Sequence, residues 1–108
     1  MKVVYIASPL AGDIEGNIER ALGYCRLAAE QDVVPVAPHT IFTQFLADTN
    51  PLERKQGMKM GFEMLKRCDE LWVFGENITA GMRSEITIAA KHGIPIRYFD
   101  TDGNEVDA

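Results

Sequence analysis

Residues 70–99, ELWVFGENITAGMRSEITIAAKHGIPIRYF, read as strand, helix and strand, and that order decides the fold. Glu70 to Phe74 is a short run, bulky and apolar from Leu71 onward, as expected of a strand covered on both faces. Thr79 is a plausible N-cap. A helix follows from Ala80 to His92, and Gly93 supplies a left-handed terminator. Ile94 to Phe99 is the next strand. A strand, a helix and a second strand at this spacing imply a parallel pair joined by a right-handed crossover.

The rest of the chain repeats the alternation. Lys2 to Ala7 is a β-branched and aromatic strand, broken by Ser8-Pro9-Leu10-Ala11-Gly12. From Asp13 to Glu30, Ile14, Ile18, Ala21, Leu22, Cys25 and Ala28 recur at steps of three and four, which predicts an amphipathic helix. Val33 to Ala37 is a second strand, ended by Pro38-His39, and Thr40 to Ala47 is a short helix or an ordered loop. Asn50-Pro51-Leu52-Glu53 combines a cap, a first-position proline and a capping-box carboxylate. The helix it starts runs to about Cys68, with Met58, Phe62 and Leu65 as core filler on one stripe. Asp102-Gly103 marks a turn before a polar tail. These elements predict one α/β domain over residues 1–108, a three-layer Rossmann-like or flavodoxin-like unit. Its sheet is small and mainly parallel, with four to five strands. In such sheets ligands bind beyond the carboxyl ends of the strands. That rule gathers Ser8 to Asp13, Pro38 to Phe45 and Gly75 to Glu85.

Composition narrows the function. The chain has 108 residues, 46% of them hydrophobic, and a formal net charge of -5 with no basic block. A nucleic-acid polymer or an anionic membrane needs clustered Lys and Arg, so neither is an expected partner. The apolar runs fall short of the ~20 residues a membrane span requires. No signal-peptide pattern precedes the first strand, so a cytoplasmic location is expected. Cys25 and Cys68 read as free thiols. With His39 and His92 they show no metal-ligand spacing, so no zinc site is expected. Dinucleotide and P-loop glycine fingerprints are absent.

Spacing leaves Glu85 with two readings. It lies beside the apolar stripe of Met82, Ile86 and Ala89, near the helix N-terminus that favours negative charge. It is either a solvated residue of the first turns or a carboxylate held in a partly dry pocket, as a nucleophile requires. His39 follows the second strand at the ligand-binding edge, where it either faces a base or supplies a proton near neutral pH, as the candidate base-side acid, or merely bonds the local turn. Phe42 and Phe45 read as core packing, and Arg83 as an exposed helix residue.

VYIASPLAGD, the VPVAPH segment and CDELWVFG with TAGMRSEI together resemble the nucleoside 2-deoxyribosyltransferase-like superfamily, over Val3 to Phe99. The resemblance extends to the deoxynucleotide N-hydrolases and to short uncharacterised bacterial and phage members. It implies that Glu85, which ends Gly81-Met82-Arg83-Ser84-Glu85, takes the place of the family's nucleophile, and that Tyr5 orients it. It also implies sugar or phosphate contacts from Ser8, Gly12, Asn17, Thr79, Gly81 and Met82, with His39 on the base side. No metal or organic cofactor is implied. Two departures stand out. The position of the family's base-side Asp, eight residues before Asp69, is Gly61. The first loop also lacks the second glycine and the Arg of the hydrolases' phosphate loop. The expected activity is cleavage or exchange of the N-glycosidic bond of a (deoxy)nucleoside or its 5′-monophosphate, in a homodimer or higher homo-oligomer. The alternative is a nucleotide-binding domain without catalysis.

Overall fold

In the computed structural model, which describes residues 1–107, five strands form one sheet in the order β2-β1-β3-β4-β5. They are β1 (Val3–Ala7), β2 (Val34–Val36), β3 (Glu70–Phe74), β4 (Ile96–Phe99) and β5 (Glu105–Val106). The first four run parallel, and β5 pairs antiparallel with β4. The helices are α1 (Ile14–Ala29), α2 (Pro51–Leu65) and α3 (Ala80–Lys91), and Thr40 to Ala47 forms no α-helix. Two short 3-10 turns, Pro38–Thr40 and Phe42–Gln44, occupy that region instead.

Alternation along β1 builds the three layers. Val4 and Ile6 face α1, where they meet Tyr24, Ala28, Trp72, Phe74 and Phe99. Tyr5 and Ala7 face the other side, with Leu65 of α2 and Met82 and Ala89 of α3. A run buried on both faces is why β3 reads as unbroken apolar sequence, and all five of its residues are buried.

Four local expectations change. The buried stripe of α1 is Asn17, Ala21, Tyr24 and Ala28, so Leu22 points outward at 54% exposure. On α2 only Gly61 and Leu65 are buried, and Met58 is exposed rather than core filler. Asn50 caps α2 through Leu52 N and Glu53 N, but Glu53 reaches past the capping box to accept from Ala47 N. The polar tail is not featureless. Gly103, at φ 88°, turns it back so that Glu105 can pair with Arg97. Asp69 serves the backbone, its Oδ2 accepting from Val3 N at 2.8 Å.

Candidate active site

Because the chain leaves β1 toward β2 and returns across it to β3, the loops after β1 and β3 diverge over one crevice. That switch point is where parallel sheets of this type hold ligands. A cavity of about 240 Å³ opens there on the α2/α3 side. Tyr5, Glu85, Met82, Gly81 and Thr79 form one end of it. Pro38, His39, Phe42, Thr43, Leu46 and Asp48 come from the segment after β2, and Gly57, Met58, Gly61 and Phe62 from α2.

Glu85 is inside, not solvated. Its exposure is 6%, and the Tyr5 hydroxyl donates a hydrogen bond to its Oε2. The two residues come from β1 and α3, 80 positions apart. Burial pushes the Glu85 carboxyl up to about 7, and the Tyr5 hydrogen bond works against that rise. Tyr5 itself is held well above the ordinary tyrosine range, first by burial and then by the facing Glu85 charge. The site therefore holds a carboxylate that changes charge near neutrality beside a phenol that keeps its proton. Thr79 caps α3 by accepting from Met82 N at 3.3 Å, and the first turn of α3 carries no acidic side chain. The helix end is left facing the cavity with its amides and positive dipole end.

Opposite this end the walls combine apolar side chains with the charged Asp48, Glu53 and Arg54. Gly57 and Gly61 stand one turn apart on α2, and their missing side chains leave a slot bounded by Phe42, Leu46, Met58 and Phe62. Phe42 and Phe45 pair edge to face at 6.0 Å between ring centres. They do not join the core, since Phe42 lines the cavity and Phe45 is 62% exposed. A Cβ on Gly61 would stand 3.1 Å from the Tyr5 hydroxyl, close enough that the hydroxyl would have to shift by a few tenths of an ångström. Gly61→Ala should leave the fold intact, since alanine favours a helix by about 1 kcal/mol. It should disturb Tyr5 and cost about tenfold in any activity that depends on Glu85. Equal activity with unchanged pH dependence would refute this.

His39 sits mostly buried, with Nε2 3.2 Å from the carbonyl oxygen of Ser8. A carbonyl only accepts, so the ring proton lies on Nε2 and Nδ1 is left as an acceptor. Burial also lowers the His39 pKa, which keeps the ring neutral. Arg83 is exposed on α3. Of the residues singled out in the sequence, Tyr5, Ser8, His39, Thr79, Gly81, Met82 and Glu85 border this cavity. Asn17 does not; it borders a second cavity on the α1 side, which Ser8 also borders. Gly12 borders neither, and its φ of 99° marks it as a turn residue. Asp48, with its side chain 17% exposed and 4.0 Å from Arg54, was missed because nothing in the ADTN sequence around it marks a site.

Over residues 2–99 the sequence matches the family described as a domain of unknown function, DUF7768. The chain belongs to that family. This DUF7768 chain matches no curated protein. Among solved structures it resembles a 2-deoxyribosyltransferase of the psychrotolerant bacterium Bacillus psychrosaccharolyticus. The TM-score is 0.68 at 18% identity, over 97% of this chain and 77% of that one. It also resembles a 2-desoxiribosyltransferase from Leishmania mexicana, with a TM-score of 0.67 at 21% identity, over 93% of this chain and 65% of that one. The DUF7768 chain thus has a nucleoside 2-deoxyribosyltransferase-like fold.

Proposed function

We propose that this protein cleaves or exchanges the N-glycosidic bond of a (deoxy)nucleoside or nucleoside 5′-monophosphate, with Glu85 as nucleophile. The observation that carries this reading is the Tyr5–Glu85 pair, a buried carboxylate oriented by a phenol at the floor of a cavity. A Glu85 oxygen attacks the anomeric carbon of the sugar. The bond from that carbon to the base nitrogen breaks, and its electron pair leaves with the base, which takes a proton from solvent. Water or a second base then attacks the same carbon, and the ester to Glu85 breaks to restore the carboxylate. The base lies in the slot beside Gly57 and Gly61, with His39 Nδ1 as an acceptor for one of its N–H groups. The sugar lies between Glu85 and the turn of Thr79, Gly81 and Met82.

Only ionised Glu85 is a nucleophile. With its pKa raised to about 7, kcat/KM should fall about tenfold for each pH unit below that value and level off above it. Tyr5→Phe removes a hydrogen bond that favours the charged form. The midpoint of the profile should therefore move upward by up to about one unit, with a several-fold loss of rate at pH 7. A profile unmoved by the substitution would remove Tyr5 from the site's chemistry.

The test is a chromatographic assay for free base, with deoxynucleosides, ribonucleosides and their 5′-monophosphates, with and without an acceptor base. Gly61 favours a second reading. Gly61 has no side chain to hold the departing base, and Glu53, two turns earlier on the cavity wall, spends Oε1 on Ala47 N, which fits a nucleotide-binding domain without turnover. Ligand-induced stabilisation with no base released across the panel would establish that alternative.

A further inference from the structure

Two of the residues singled out in the first loop and helix, Ser8 and Asn17, meet at the second cavity rather than at Glu85 as a pair. This cavity, about 300 Å³, lies on the α1 side of the same crevice. Among the described residues, the Ser8 hydroxyl is the one buried side-chain polar atom without a hydrogen-bond partner, and Ser8 is 2% exposed. Val4 and Ile6 face α1 and Tyr5 and Ala7 face away, so continued alternation turns the Ser8 hydroxyl to the α1 side. An orphaned hydroxyl of this kind costs about 1–3 kcal/mol unless something satisfies it.

The surroundings offer donors. Asn17 is buried, donates from Nδ2 to the Leu10 carbonyl at 2.9 Å, and accepts on Oδ1 from Arg20 Nε and Nη2 at 3.3 and 2.8 Å. It ties the first loop to a guanidinium and fixes its plane. Asp13 accepts from Nη2 of the same group at 3.2 Å, and the Arg20 side chain is 53% exposed, with Nη1 unpaired among the described residues. Tyr24, Asn77 and Thr101 bring two hydroxyls and an amide to the wall. Glu76 is the opposing charge, on the exposed rim.

We propose that this second cavity binds a phosphoryl group, as inorganic phosphate or the end of a phosphomonoester, through Ser8 Oγ and Arg20 Nη1. Donors outnumber obligate acceptors on its wall, and an oxyanion is the ligand class that accepts from hydroxyl, amide and guanidinium together. The site adjoins the cavity of Glu85, sharing Ser8 and Ala11 with it, but does not depend on the activity proposed there.

The experiment is a titration of the whole chain with inorganic phosphate and, separately, ribose 5-phosphate, followed by amide NMR shifts at Gly75 and Asn77. Saturable shifts in the millimolar range are expected, weakened about tenfold by Ser8→Ala and by Arg20→Gln and unchanged by Glu85→Gln. Glu76→Gln should tighten binding severalfold by removing the rim charge. A tighter titration with the ester assigns the site to phosphomonoesters, and equal affinities assign it to free phosphate. Ser8→Ala also removes the orphaned hydroxyl, so the unliganded variant should melt several degrees higher while losing stabilisation by phosphate. Absence of saturation up to about 10 mM, or affinity unchanged in Ser8→Ala, overturns the proposal.

Discussion

Glu85→Gln is expected to lower base release by about 10⁴-fold, with nucleoside affinity held within a few-fold. The amide keeps the size of the carboxylate and can still accept from Tyr5, so the floor of the cavity survives. What it loses is the negative oxygen that forms the bond to the sugar. Tyr5 cannot substitute, because burial, the largest cause of its raised pKa, remains when the carboxylate is gone. His39 cannot either, since its proton is committed to Ser8. Release within about tenfold of the parent protein would end the nucleophile assignment, because the slot alone supplies only binding.

The same substitution is expected to stabilise the protein by about 3 kcal/mol at pH 8 and by nothing at pH 4. Glu85 rises from an ordinary 4.5 to about 7 on folding, so the folded chain binds a proton that the unfolded chain releases. Below pH 4.5 both states are protonated and the residue is silent. Between that value and about 7, stability falls by about 1.4 kcal/mol per pH unit; above it the loss is complete. Glutamine, neutral throughout, escapes that loss, and the melting temperature at pH 8 should rise on the order of 10 °C. Melting curves at both pH values decide it: an equal difference at the two would mean that Glu85 is not buried as a charge. Activity lost and stability gained in one variant identify a side chain retained against the interest of the fold.

The sequence carried the α/β alternation because β1 and β3 bury both faces and so write continuous apolar runs. It carried the α3 cap because a threonine hydroxyl before a helix satisfies one of the free first-turn amides, here that of Met82. It misplaced Phe45, Met58 and Leu22 for one physical reason. Periodicity finds the apolar side of an element, and cannot say whether that side meets the core, a cavity or water. Glu85 was ambiguous for the complementary reason. Its buried partner is Tyr5, from a strand 80 residues away, and no helical spacing records that. The two sides of the crevice were also hidden. Ser8 and Asn17 are close in sequence to a loop that serves both, and only the direction of a side chain separates them.

The margins of the sheet limit how copies of this chain can meet. β2 is only three residues long, and Pro35 at its centre has no amide hydrogen to offer an incoming strand. At the other margin β5 spans two residues and places Glu105 beside Arg97. Neither rim templates growth by strand addition, which protects the five-stranded sheet from edge-to-edge aggregation. Self-association, if it occurs, falls to the helical layers, and there Ile41, Phe45 and Leu52 stand at 44%, 62% and 80% exposure.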